Sequence, residues 1–88
     1  MWIRFKDSEH GTILTNMDNY DYVYAFNSGG KYNIAIEKES SSERIVLFEE
    51  ISLETAQAAI KAIADAISQD VQLFDLTAWL EEYEEAEE

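Results

Sequence analysis

The chain contains no cysteine and no proline, only three glycines and one histidine, and six basic residues against nineteen acidic ones. Without cysteine there are no disulfides, thiolate metal sites or cysteine nucleophiles, and the default setting is intracellular. Without proline there is no rigid linker, and no repeat or composition break divides the 88 residues, which read as one domain with room for a single modest core. The solitary His10 lies in Asp7-Ser8-Glu9-His10-Gly11, a turn by composition. It has no second ligand cluster to join as a metal site, and no Gly-x-Ser-x-Gly turn is present for it to serve as a general base. No run approaches the roughly 20 apolar residues that span a bilayer, and Met1 to Lys6 lacks the apolar core of a signal peptide. A net charge of −13 also disfavours anionic membranes and direct contact with nucleic acid. The expectation is a cytoplasmic protein.

The acidic residues are unevenly placed. Residues 1–64 hold ten acidic and six basic side chains, whereas Asp65 to Glu88 hold nine acidic and no Lys or Arg. Six glutamates crowd Glu81 to Glu88. A concentrated anionic end on a folded body suits a basic partner. Neither acidic run has the alternating oxygen ligands and central glycine of a calcium loop, so no metal is expected, and no other cofactor is implied.

The 47% hydrophobic content supports a packed core. Met1, Ile3 and Phe5 alternate with Trp2, Arg4 and Lys6 as in a half-buried strand, and Thr12 to Thr15 reads as its return. Asn16 to Asn19 breaks the run. Tyr20, Tyr22, Tyr24 and Phe26 share one strand face, Asn27-Ser28-Gly29-Gly30 supplies a hairpin turn, and Tyr32, Ile34 and Ile36 resume the alternation. After the polar loop Glu39 to Glu43, Arg44 to Phe48 is a continuous apolar strand suited to a covered position. Gly29-Gly30 lacks the following Lys-Ser/Thr and helix of a phosphate cradle. The tyrosines resemble a nucleic-acid stacking platform in composition alone, and the charge opposes that use, so they are assigned to the core under a helix or to a protein-binding face.

Ser52 can cap a helix from Leu53 to Gln69, in which Ala56, Ala59, Ile60, Ile63 and Ile67 form one smooth face able to cover the aromatic side of a sheet. Asp70 to Phe74 reads as an extended connector. Leu76, Trp79, Leu80 and Tyr83 then match the spacing of a second helical face. Like-charge pairs within Glu81 to Glu88 oppose that helix by about 1–3 kcal/mol, while burial of Trp79, Leu80 and Tyr83 contributes around 1.5–3 kcal/mol apiece. Helix is therefore expected to Tyr83, with fraying beyond.

The expected fold is α+β: an antiparallel sheet of four to five strands within residues 1–51, a covering helix over 52–69, and a short acidic C-terminal helix and tail over 75–88. The expected binding residues are Asp70, Asp75, Glu81, Glu82, Glu84 and Glu85, with Trp79 and Tyr83 as anchors at their edge where they are exposed. A helix carrying these glutamates presents about one charge per 2 Å, close to the roughly one per 1.7 Å of duplex DNA. It is thus suited to a basic protein surface that ordinarily holds nucleic acid. The competing expectation is an interaction domain that binds a protein, or itself as a homodimer, through its aromatic sheet face, with the tail only solubilising. No residue pattern suggests catalysis.

The opening Met1-Trp2-Ile3-Arg4-Phe5-Lys6-Asp7, then Thr12-Ile13-Leu14, then Arg44-Ile45-Val46-Leu47-Phe48-Glu49 before an alanine-rich helix, resembles a class of small uncharacterised bacterial proteins over residues 1–67. That resemblance implies a few strands followed by a helix and carries no functional residue. In size, acidity and lack of catalytic residues the chain is also similar to phage-encoded inhibitors of bacterial defence, including DNA-mimic and anti-CRISPR proteins. This second similarity implies a protein-binding inhibitor.

Overall fold

A computed structural model describes residues 1–7, 9–41 and 43–87. Ser8 and Ser42, in two of the expected loops, and Glu88, the last of the acidic run, lie outside the described residues. The class is α+β, as expected, but the single sheet is replaced by two sheets of three strands. Strands β1 (Trp2–Asp7) and β2 (Gly11–Asn16) form an antiparallel hairpin, and β3 (Tyr22–Ser28), β4 (Lys31–Glu37) and β5 (Arg44–Ile51) form a meander. Helix α1 (Leu53–Ser68), strand β6 (Leu73–Asp75) and helix α2 (Leu76–Glu87) complete the chain.

The division has a specific cause. The expected connector after α1 contains β6, which pairs in parallel with β1, Trp2 opposite Leu73 and Ile3 opposite Phe74. Strand β1 is thereby central, in the order β2-β1-β6, with both edges occupied. Between the sheets, the Asn16 side chain caps a 3-10 turn at Met17–Asn19 and accepts from the Asp18 N–H. The second sheet runs β3-β4-β5, which places β5 at an edge rather than in the covered position expected of it. The covered strand is β4, whose Ile34, Ala35 and Ile36 are all fully buried.

One core joins the layers. Ile3 and Phe5 from the first sheet meet Ile34, Ile36 and Leu47 from the second, Ala56, Ala59 and Ile63 from α1, and Leu76 from α2. Burial of each large side chain contributes on the order of 1.5–3 kcal/mol. Ser52 starts α1 as expected, its hydroxyl accepting from the Thr55 N–H at 3.1 Å. The buried face of the helix is Thr55, Ala56, Ala59, Ile63 and Ala66. Ile67, expected on that face, is exposed, because buried Thr55 turns the centre of the face away from Ile67 and towards Ala66.

The helix also covers the other side of its sheet from the one expected. Val23, Ala25, Ile34 and Ile36 point to the core, so strand alternation sends Tyr22, Tyr24 and Phe26 to the opposite face, away from it. Tyr20 and Tyr32 remain packed against the core.

Candidate functional site

Helix α2 positions the acidic residues. Its first turn is organised by Asp75, whose Oδ1 accepts the Ala78 N–H at 3.0 Å while Oδ2 lies 3.7 Å from Arg4 Nη1. One carboxylate thus satisfies an otherwise unpaired donor and ties α2 to β1. Leu76 is fully buried, Trp79 packs against the core, and Leu80 and Tyr83 are half-buried, as their spacing predicts. Trp79 and Tyr83, one helical turn apart, stack with ring centroids 5.1 Å apart and planes at 17°. Trp79 faces the core and Tyr83 stacks on Trp79, both half-buried, so the exposure on which their use as edge anchors depends is only partial.

Anchored over its first two turns, α2 continues to Glu87 instead of fraying after Tyr83. Propagating an existing helix adds one backbone bond per residue, and the opposing repulsion between exposed carboxylates is weakened by solvent and salt. Glu81, Glu82, Glu84 and Glu85 are all exposed. None forms an ion pair or hydrogen bond among the described residues. With no basic residue in its last turn, the helix also directs its negative dipole end towards the same carboxylates.

The expected binding set therefore separates. The four glutamates form a ridge on α2, Asp75 is engaged in capping, and Asp70 belongs to another part of the molecule. Asp70 ends α1: its N–H donates to the Ile67 carbonyl at 3.1 Å, and the next N–H, of Val71, donates to the Ala66 carbonyl at 3.0 Å. This is the two-bond helix ending in which glycine normally takes the left-handed position, and Asp70 takes it with φ of 57°.

Asp70 also borders a recess of about 210 Å³ between the end of α1 and the start of β3. Met17, Val23, Ile67 and Val71 are among its apolar lining, with Asp18 and Asp21 beside them. Asp18 pairs with the Met1 ammonium at 3.0 Å, and Asp21 accepts the Glu39 N–H at 2.9 Å. Sequence reading placed Asp18 in a break between strands and gave no signal that it and Asp21 would meet the end of a helix about 50 residues later. A second recess, beside β1, is lined by Arg4, Lys6, Thr12, Thr77 and Glu81, and the Thr77 hydroxyl there is buried without a partner among the described residues.

The outward face of the β3-β4-β5 sheet carries the aromatic residues not used in the core. Tyr24 and Phe26 have centroids 6.0 Å apart, Tyr24 donates its hydroxyl to Glu37 at 3.1 Å, and the Arg44 guanidinium stands 4.8 Å from the Phe26 ring. Tyr22, at 48% exposure, is the open end of this row. His10 Nδ1 lies 3.6 Å from Asp7 in the turn between β1 and β2. Among the described residues no three metal-ligating side chains come together, and no helix is long and apolar enough to cross a membrane.

Comparison with protein-family models, curated proteins and solved structures finds no match.

Proposed function

We propose that the chain is a non-enzymatic, protein-binding inhibitor that lays helix α2 against a basic, nucleic-acid-binding surface of its partner in the cytoplasm. The observation that carries this reading is the ridge of Glu81, Glu82, Glu84 and Glu85, exposed and without counter-ions among the described residues, on a helix held by Leu76, Trp79 and Tyr83. Leaving four like charges unpaired costs helix stability, and a local conflict of that kind is where binding function is found. A rise of about 1.5 Å per residue gives the ridge a charge density near that of a phosphate backbone, so Lys and Arg side chains arranged for phosphates meet carboxylates at similar spacing. This is the mode of action of DNA-mimic inhibitors, among which phage anti-defence proteins provide the comparison of type. It requires no metal, cofactor or catalytic residue.

The test is a salt-graded pull-down from bacterial lysate with the parent and a variant carrying Glu→Gln at positions 81, 82, 84 and 85. The parent alone should retain a nucleic-acid-binding protein, releasing it as salt rises or DNA is added. Equal retention of the same partners by both proteins rules the ridge out.

The aromatic row supports a second reading, an interaction domain that binds a protein through the outer face of β3-β4-β5. It is favoured by α1 covering the other side of that sheet, which leaves Tyr22 exposed. Binding through this face should tolerate salt and be lost on Tyr22→Ala, the reverse of the behaviour expected for α2.

A further inference from the structure

Strand β2 is an open sheet edge with an unusual lack of charge. The bond from the Met17 N–H to the Met1 carbonyl, 2.8 Å, sets the alternation of the β1-β2 ladder. Phe5/Ile13 and Ile3/Thr15 are then the pairs that exchange backbone bonds, while Lys6/Thr12 and Arg4/Leu14 turn their backbone groups away from each other. On the far side of β1 such groups meet β6, as where Trp2 donates to the Gln72 carbonyl at 2.8 Å. The corresponding groups of Thr12 and Leu14 face the open edge, because among the described residues β2 pairs with β1 alone.

Edges of this kind are normally blunted by lysine, proline, bulges or shortness. Gly11-Thr12-Ile13-Leu14-Thr15-Asn16 has no ionisable residue or proline, and its register with β1 is unbroken along all six residues. The other edges differ: β6 has three residues, and β5 carries Arg44, Glu49 and Glu50 and has an irregular register with β4. Strand β3 is uncharged, but its Tyr22 and Val23 border the recess that holds Asp18, Asp21 and Asp70. Beside β2 stand Arg4 and Lys6, on the face shared by Thr12 and Leu14, with Asp75 3.7 Å from Arg4 and Glu81 lining the same recess. A chain of net charge −13 repels a copy of itself, and this uncharged strand, beside which two cations balance two carboxylates, adds little to that repulsion. The same face exposes Leu14, Trp2 and Leu73 at 57, 48 and 51%. They are contiguous: Trp2 lies opposite Leu73, and Leu14 is diagonal to Trp2 across the ladder.

We propose that β2 is a self-association edge, at which a second copy adds its own β2 antiparallel about a two-fold axis through Leu14. Thr12 then exchanges backbone bonds with the partner's Asn16, Leu14 pairs with the partner's Leu14, and two three-stranded sheets become one of six strands. The axis makes the interface self-complementary and gives exposed Leu14 an apolar neighbour. This inference is independent of the role of α2, and its salt response has the opposite sign.

Sedimentation velocity from micromolar to about millimolar protein, at about 50 and about 500 mM NaCl, tests it on the parent, Thr12→Pro and Leu14→Lys. The parent should form dimers, more of them at high salt because screening weakens like-charge repulsion. Both variants should remain monomers with the parent's circular dichroism, since the Thr12 N–H removed by proline faces away from β1. A parent that is monomeric throughout overturns the proposal and leaves the edge for another protein's strand. Variants that dimerise like the parent also overturn it. If a variant fails to fold, hydrogen exchange on the parent decides: the Thr12 and Leu14 amides should slow as concentration rises while Ile13 and Thr15 do not, and concentration-independent exchange at all four rejects the interface.

Discussion

The Tyr83 ring lies 5.1 Å from the Trp79 ring and nearly parallel to it, so an aromatic stack links the acidic half of α2 to a residue packed on the core. Trp79 packs on the core directly, and Tyr83 stacks on Trp79. Trp79→Ala should therefore lower stability by about 2–3 kcal/mol, less than the 3–5 typical of a fully buried aromatic, and reduce helix content. Urea unfolding followed by far-UV circular dichroism reads both effects. A loss below about 0.5 kcal/mol would mean that α2 is held in another way.

Asp75 performs two tasks that substitutions can separate. Asp75→Ala removes the acceptor of the Ala78 N–H as well as the charge facing Arg4, and should cost about 1 kcal/mol. Asp75→Asn keeps an acceptor for the helix and loses only the ion pair, which is 3.7 Å long and half-exposed on the Arg4 side. It should cost no more than a few tenths of a kcal/mol and lose that difference in high salt. Equal costs for the two variants in denaturant titrations would assign the contribution to the ion pair instead.

Asp70 is unfavourable to stability twice over: it is a non-glycine residue at φ 57°, and a negative charge at the C-terminal end of α1. Asp70→Gly should raise stability by about 0.5–1 kcal/mol from the backbone effect, with a smaller electrostatic gain. The check is an upward shift of the thermal midpoint, and a downward shift would show that the carboxylate has a stabilising contact. If the variant is more stable yet loses a partner, Asp70 belongs to a binding surface.

Asp7 should shape the acid limb of stability. Its carboxylate is held below its ordinary value chiefly by the Glu9 N–H, which it accepts at 2.7 Å; partial burial opposes this, and His10 assists. A carboxylate with a lowered folded value binds fewer protons in the native state than in the unfolded one at the pH values between the two. Its contribution is complete above the ordinary carboxylate range and is lost as pH falls through the lowered value. Urea midpoints measured from about pH 2 to pH 6 should fall less steeply in Asp7→Asn than in the parent. Parallel curves would remove Asp7 from the acid response.

The elements themselves were largely legible. Alternation of Met1, Ile3 and Phe5, the Gly29-Gly30 turn, the Ser52 cap and the Leu76/Trp79/Leu80/Tyr83 spacing are signals contained within a few residues, and the elements they predict are present. The exposed ridge was legible for the same reason: four glutamates placed around an apolar helical stripe have nowhere to point except outward. What was not legible depends on chain segments far apart. Leu73-Phe74-Asp75 is too short to show strand periodicity, yet its pairing with Trp2-Ile3-Arg4 divides the molecule into two sheets.

Residue order alone was thus enough for the α+β class, the placement of the long helix and the concentration of charge in the last residues of the chain, because periodicity, capping and turn chemistry act locally. Packing settled the partners: β6 against β1, α1 against the aliphatic rather than the aromatic side of its sheet, Trp79 and Tyr83 against each other, and Asp75 engaged as a cap. Both faces of β3 offered apolar side chains, so alternation could not distinguish the side that would be covered. That choice came from burial of Ile34, Ile36 and Ile63 in one shared core, a long-range gain no local pattern encodes.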